Sequence, residues 1–360
     1  MDHSKTDVTS FVREVIGIEN GKIAICNTFF TGAGGRSRVI EQQAKALSRD
    51  SYDVKVFALV GKQISDVNFD QTVRLSVNNK VLRNLCRFAY PLTPFFLTDL
   101  EELGRYDLII THDGFPFSLL SNMVNQLFDT PYVYWYHHLW DNLNEYYHGI
   151  EGLYSELDRY LERQSFFIKQ ADYLVAVSDA SRSELQQASG RDNVYVVPNT
   201  IDESRFENPS DISEVLPAEC LSGNEDTLLF VGSINPQKNI SELFEVLRLV
   251  NQKYGNVRLL IAGRPESESY FQSIRHKAPD NVVFLGFLEN DDLAAVYEFC
   301  DVYVTCSTHE SFNLPLLEAQ YFGTTVIAYD TKVHANVATG ASLVPKNETE
   351  MFAKRVINAL

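Results

Sequence analysis

The 360-residue chain is poor in cysteine, and its five cysteines (Cys26, Cys86, Cys220, Cys300, Cys306) contain no C-x-x-C pair. An odd, scattered set argues against a disulfide framework or a zinc ribbon and suits a reducing compartment. Positive charge is also scarce: 31 lysines and arginines against 48 acidic residues leave a formal net charge of −17. Such a chain has no general attraction to nucleic acid or anionic lipid, so an anionic ligand needs a local positive pocket. No apolar run reaches the ~18 residues that a membrane-spanning helix requires. The opening residues, MDHSKTDVTSFVREV, are polar and carry acids, unlike a signal or transit peptide. Internal repeats and low-complexity tracts are missing too. These absences leave a cytoplasmic, globular chain, long enough for about two domains of ~100–200 residues each.

What is present is apolar patterning. Hydrophobic residues make up 45% and aromatic residues 12% of the chain. Short runs rich in Ile, Val, Phe and Tyr fall at 22–30, 53–60, 107–113, 131–138, 172–178 and 193–199. A second set lies at 227–233, 257–263, 281–287, 301–307 and 325–330. Helical periodicity fills intervals such as 38–48, 153–169, 241–253 and 314–322. Near-continuous apolar strands alternating with helices predict parallel sheets covered on both faces, here two doubly wound α/β sheets. Residues 203–226 hold two prolines and several acids and serines without a strand pattern, which predicts a linker or hinge. The expected division is 1–202, linker 203–226, and 227–360. Ligands belong at the carboxyl ends of the strands.

Three carboxyl-end segments could hold a diphosphate. The first run leads into Thr31-Gly32-Ala33-Gly34-Gly35-Arg36 and then a helix, where glycines allow close backbone approach and free N–H groups meet an anion. A plain tight turn is the simpler alternative. A dinucleotide site also wants an acid at the end of the second strand, yet that strand ends Phe57-Ala58-Leu59-Val60-Gly61, which counts against a dehydrogenase. The run at 227–233 leads into Ile234-Asn235-Pro236-Gln237-Lys238-Asn239, with Asn239 and Glu242 spaced as an N-cap and its reciprocal partner. Lys238 is then a cation at a helix start, or merely a solvated loop lysine. The sharpest segment is Glu310-Ser311-Phe312-Asn313-Leu314-Pro315-Leu316-Leu317-Glu318-Ala319, with Gly323 as a stop. Asn313 suits an N-cap, and the N–H groups of Phe312, Asn313 and Leu314 can converge on a phosphate. Glu310 and Glu318 flank that point, an arrangement suited to a polyhydroxylated ligand.

Here the chain resembles the retaining GT-B glycosyltransferases of family 4 (glycosyl transferases group 1). Their signature, E-G-F-G-L-P-x-x-E-A followed by G-T-P-V, is matched by E-S-F-N-L-P-L-L-E-A and Gly323-Thr324-Thr325-Val326. Gly34-Gly35, ADYLVAVSDASRSEL (171–185), VVPNTID (196–202), VGSINPQK (231–238) and NVVFLGFL (281–288) extend the likeness over most of the chain. The resemblance implies two Rossmann-like domains with parallel sheets facing across a cleft. It also implies transfer of a sugar from a nucleotide-diphosphate donor to an acceptor hydroxyl with retention of configuration. The absence of any D-x-D triplet fits a reaction without a metal clamp, and no cofactor is expected beyond the nucleotide sugar.

The resemblance also assigns roles. Lys238 would hold the donor diphosphate with the amides of Phe312, Asn313 and Leu314, beside Gly34, Gly35 and Ser233. Glu318 would bind the ribose hydroxyls, Glu310 the hydroxyls of the donor sugar, and Phe287 and Leu288 would line the base. His137, six residues after Pro131, would face the donor sugar; a core imidazole among Tyr134, Trp135 and Tyr136 is the plain alternative. Ser233 replaces a usual arginine, Ser311 and Asn313 replace glycines, Thr325 replaces a proline, and Thr200 a glycine. A catalytically impaired nucleotide-sugar binder serving a partner glycosyltransferase is therefore the alternative function. The acceptor would be a glycan or a lipid-linked molecule. Segment 78–97 puts Lys80, Arg83 and Arg87 on one helical face, followed by Phe95 and Phe96, which suits either a helix resting on the inner membrane face or an ordinary surface helix.

Overall fold

The apolar runs form strands, and every strand pair is parallel. A computed structural model of the chain describes residues 7–30, 34–61, 69–75, 80–112, 115–137, 166–221 and 225–360. These fall into two compact units, Met1–Thr200 and Ile201–Leu360. In the first, β1 (Lys22–Phe30), β2 (Asp53–Gly61), β3 (Asp70–Leu75), β4 (Leu108–Thr111), β5 (Tyr132–Tyr136), β6 (Tyr173–Ala176) and β7 (Val194–Val196) make a 7-stranded sheet in the order β3-β2-β1-β4-β5-β6-β7. In the second, β8 (Asp226–Val231), β9 (Val257–Ala262), β10 (Val282–Gly286), β11 (Val302–Thr305), β12 (Thr325–Tyr329) and β13 (Ser342–Val344) make a 6-stranded sheet, β10-β9-β8-β11-β12-β13. Both are doubly wound, with the strand order reversing between β1 and β4 and between β8 and β11. At such a reversal the loops part and leave a crevice.

The central strands are buried on both faces, so their sequences are unbroken apolar runs: β4 (LIIT) and β11 (VYVT) contain no exposed position. Helix Ile240–Lys253 turns Leu243, Leu247 and Val250 onto Leu259 and Ile261, where Phe352 and Val356 of helix Thr349–Ile357 join the same core. Each such side chain contributes about 1.5–3 kcal/mol by leaving water. Strands β3 and β13 fall outside the apolar runs. The first is a polar edge strand (DQTVRL) whose Arg74 pairs with the buried Asp99, and the second is only 3 residues long. The pattern at 153–169 lies outside the described residues up to Phe166, where helix Phe166–Gln170 begins. Segment 203–221 forms three short helical turns, Glu203–Phe206, Ile212–Val215 and Ala218–Leu221, within the second unit.

Two devices recur in both sheets. At the amino end, the aspartate just before one strand holds the backbone of its neighbour. Asp107 accepts from the N–H of Lys22 at 2.7 Å, Asp172 from the N–H of Tyr132 at 2.9 Å, and Asp301 from the N–H of Thr227 at 2.7 Å. At the carboxyl end, a glycine lets two strand ends close up. A Cβ on Gly61 would lie 1.8 Å from the Phe30 carbonyl oxygen, and one on Gly263 would lie 1.8 Å from that of Gly232. No side chain fits there.

Among the described residues no helix is long and apolar enough to cross a membrane. Helix Lys80–Ala89 does not present the expected basic face as a whole. Arg87 is 5% exposed, its Nε donates to the Phe115 carbonyl at 2.5 Å, and its guanidinium lies over the Phe29 ring. A buried guanidinium must find acceptors, and Arg87 finds them inside its own unit. The side chains of Lys80 and Arg83 lie outside the described residues. Among the described side chains of this segment the exposed ones are apolar, Leu82, Leu85, Phe95, Leu97 and, at 89%, Leu92 included.

Candidate active site

In the second unit the site grows from the loops after β8 and β11, at the reversal of strand order. Pro236–Lys238 make a tight helical turn capped by Asn235, whose Oδ1 accepts from the N–H of Lys238 at 3.2 Å. The reciprocal Asn239/Glu242 cap does not form. Asn239 is the left-handed joint between that turn and helix Ile240–Lys253, with φ 48° and no side-chain cap bond, while Glu242 accepts from Thr349. The loop after β11 is tied to this turn: the Thr308 N–H donates to the Gln237 carbonyl at 3.0 Å, and the hydroxyls of Ser307 and Thr308 donate to the same oxygen. The tie brings Lys238 Nζ to 2.5 Å from Glu310 Oε1, both largely buried. Phe312, Asn313 and Leu314 follow at the start of helix Leu314–Tyr321, with Pro315 in its first turn. Gly323, with φ 75°, follows its end.

Glu318 lies inside that helix at 1% exposure. A carboxylate removed from water needs donors, and it has two from distant sequence: Tyr297 Oη donates to Oε2 at 3.0 Å, and Arg205 to Oε1 at 3.1 Å. Arg205 also donates Nε and a terminal nitrogen to Asn290 Oδ1 at 3.0 and 2.9 Å. Phe287 and Leu288 are half-buried just after β10, and the exposed Arg264 places its guanidinium 3.9 Å from the Phe287 ring centroid. Ser233 is half-buried next to Gly232. Among the described residues no three His, Cys, Asp or Glu side chains gather closely enough to hold a metal.

In the first unit, Gly34 has φ 97° and Gly35 opens helix Gly35–Arg49, while Thr31–Ala33 lie outside the described residues. Among the described residues a Cβ on either glycine would meet nothing within 4 Å, but at Gly34 the left-handed φ itself strains any side chain. His137, after β5, is buried, and its Nε2 lies 2.7 Å from Nδ1 of His112, which follows β4. His112 is sandwiched: its ring stacks on His137 at 5.0 Å and on Trp135 at 5.7 Å. Burial, helped by the charge of Arg36, pushes the His112 imidazole down to about 3, so it is neutral. Its Nε2 and the Trp135 Nε1 have no hydrogen-bond partner among the described residues.

The structure thus joins Lys238 to Glu310 and sets both beside Phe312, Asn313 and Leu314, with Glu318 about one turn further on. Gly34, Gly35 and His137 belong to the first unit's own reversal point. Sequence reasoning missed His112, Arg205, Arg264 and Tyr297. For His112 a signal existed, a histidine at the end of an apolar run. For Arg205 nothing local links it to a glutamate 113 residues away.

Comparison with known proteins bears on the fold and the family. The family pattern described as Glycosyltransferase Family 4 matches residues 33–205, and that of Glycosyl transferases group 1 matches residues 213–360. An alpha-monoglucosyldiacylglycerol synthase of Streptococcus pneumoniae is 25% identical over 315 residues, covering 84% of this chain and 69% of that protein. A phosphatidyl-myo-inositol mannosyltransferase of Mycolicibacterium smegmatis is 30% identical over 196 residues, covering 52% of this chain and 47% of that protein. Among solved structures, Anabaena HepE in complex with UDP-glucose superposes with a TM-score of 0.72 at 20% identity, covering 94% of this chain and 89% of that one. WaaG, a glycosyltransferase involved in lipopolysaccharide biosynthesis, superposes at 0.66 with 16% identity, covering 94% and 90%. Fold, family patterns and the carboxyl-end loops converge: the chain belongs to the family 4 glycosyltransferases of the GT-B fold.

Proposed function

We propose that the protein transfers a hexose from a nucleotide-diphosphate sugar to an acceptor hydroxyl with retention and without a metal. The observation that carries this is the Lys238–Glu310 pair at the reversal point of the second sheet, beside the amides that open helix Leu314–Tyr321. A diphosphate carries the charge that Lys238 and a helix start both favour. As it arrives, Lys238 exchanges Glu310 for phosphate, and Glu310 turns to the sugar hydroxyls. Glu318, held in place by Arg205 and Tyr297, accepts from the ribose hydroxyls. Phe287, Leu288 and the Arg264 plane border the base, and Ser233 borders the diphosphate; Gly34, Gly35 and His137 take their share of substrate binding at the first unit's own reversal point.

Charge developing on the leaving diphosphate is met by Lys238 and the helix start, donors fixed before the reaction. The acceptor approaches on the leaving-group side, and the departing phosphate takes its proton, so no side chain has to act as general base. The glycolipid names of the similar synthase and mannosyltransferase, together with the exposed Leu92, Phe95 and Leu97, support a lipid-linked acceptor met at a membrane surface.

Incubation with UDP-, GDP- and ADP-sugars, reading thermal shift and released nucleotide, tests the reading. One nucleotide should raise the unfolding temperature, and its sugar should be turned over in the presence of acceptor lipid. In Glu310→Gln turnover should fall more than donor affinity, because its partner is the sugar whose bond breaks. Binding without turnover on any acceptor would instead support the non-catalytic binder suggested by Ser233. No binding of any of the three would overturn both.

A further inference from the structure

Asn313 holds an expensive conformation at the most sensitive point of the second unit. Its φ and ψ of 67° and 66° are left-handed, a region that glycine enters freely and asparagine enters more readily than other side chains but still at a cost. It stands at the N-cap position of helix Leu314–Tyr321, yet its side chain makes no cap bond. It reaches instead for His334, 21 residues on, with Nδ2 at 2.9 Å from the ring Nε2.

The His334 ring has no freedom of its own. It is fully buried, its backbone N–H donates to Thr331 Oγ1 at 3.0 Å at the start of helix Lys332–Val337, and its Nδ1 lies 2.7 Å from the Tyr329 carbonyl oxygen. A carbonyl only accepts, so Nδ1 carries the proton. Nε2 of the neutral ring is then an acceptor, and the Asn313 amide donates to it. Burial lowers the imidazole's affinity for a second proton, against the carboxylate of Glu310 and with the charges of Lys238 and Lys346.

We propose that His334 is a positioning residue for the donor site: its Nε2 latches the Asn313 amide, holding the left-handed turn so that the amides of Phe312, Asn313 and Leu314 are preset for a diphosphate. This rests on the donor reading above. The latch does for asparagine what glycine would do without help, because glycine enters the left-handed region at no steric cost. Glycine at 313 should therefore make His334 dispensable.

Calorimetric titration with UDP, GDP and ADP first identifies the nucleotide that wild type binds, and that nucleotide is carried through His334→Phe, Asn313→Gly and the double variant, with thermal unfolding in parallel. His334→Phe should weaken binding roughly three- to tenfold, the value of one neutral hydrogen bond. Whatever affinity Asn313→Gly itself has, His334→Phe should change it less than about twofold in that background. Equal losses in both backgrounds, or none in either, overturn the latch while leaving the donor reading in place. No binding by wild type overturns the donor reading and the latch with it. A second measurement does not need the His334 variant to fold: in ¹⁵N-histidine spectra, His334 should be neutral with its proton on Nδ1, and its Nε2 resonance should move in Asn313→Gly. An unmoved Nε2 resonance overturns the proposal.

Discussion

The two units share a scaffold and differ in how they satisfy polar groups at the carboxyl ends of their strands. Both reverse strand order beside their first strand, both tie strand starts with an aspartate, and both close two strand ends over a glycine. Beyond that edge the second unit works with paired charges, Lys238 with Glu310 and Glu318 with Arg205. The first works with stacked rings, Trp135, His112 and His137, and leaves polar nitrogens without partners among the described residues. The shared parts are what a parallel sheet needs in order to fold. The differing parts are the chemistry laid on it, which is why fold alone never names a function.

The comparison can be broken where it is strongest. Glu318→Gln keeps an acceptor for the Arg205 guanidinium but removes the charge that balances it, so the second unit should lose stability toward the low end of the ~3–5 kcal/mol seen when one member of a buried pair is removed. Urea unfolding measures this, and Arg205→Met with Glu318→Leu should recover most of the loss. An unchanged midpoint in Glu318→Gln would mean that the pair is ornamental. Lys238→Ala should come next, with donor affinity falling roughly 10- to 100-fold, since hydrogen bonds to charged groups are worth about 1.5–3 kcal/mol. Equal nucleotide affinity by calorimetry would return Lys238 to a purely structural role.

In the first unit the sharper probe is pH. Between about 6.5 and about 3 the unfolded chain takes up a proton at His112 that the folded chain refuses. Stability should therefore fall as pH drops through that window, with a slope of about 1.4 kcal/mol per pH unit from this group. His112→Phe should lose one proton from that slope, read from urea midpoints at pH 6.5, 5.5 and 4.5; an unaltered slope would show that the folded ring accepts the proton. The smallest effect lies at the surface. Leu92→Ser with Leu97→Ser should change stability by less than about 0.5 kcal/mol but reduce flotation with anionic liposomes. Unchanged flotation would remove the exposed leucines from any lipid contact.

Much of this was legible in sequence, and for definite reasons. Doubly wound sheets announce themselves because strands buried on both faces must be unbroken apolar runs, as LIIT and VYVT are. The Glu310–Glu318 segment stood out because one stretch carried the acids, the proline and the stop. Asn313 does not cap because a cap needs extended backbone and Asn313 is left-handed, and its amide partner His334 lies too far along the chain for any local pattern to weigh. The Asn239/Glu242 cap failed because the preceding turn already uses Asn235. Arg87 read as a surface charge because helical spacing reports faces, without saying which face meets the protein. Ion pairs such as Arg205–Glu318 are long-range facts of folding and leave no periodic trace.

The close approach at Gly263 has a consequence for how this protein tolerates change. A methyl group there has nowhere to go but against the Gly232 carbonyl, and Gly232 leads directly into the turn that carries Lys238, whose Cε would lie 3.7 Å from a Cβ at position 232. The placement of the lysine is thus governed partly by a residue that has no side chain and touches no ligand. Random mutagenesis for donor preference should find Gly263 closed to every substitution, while Arg264 beside it, exposed over Phe287, stays open to variation. Evolvability in this site is set by backbone crowding one residue away from where variation is free.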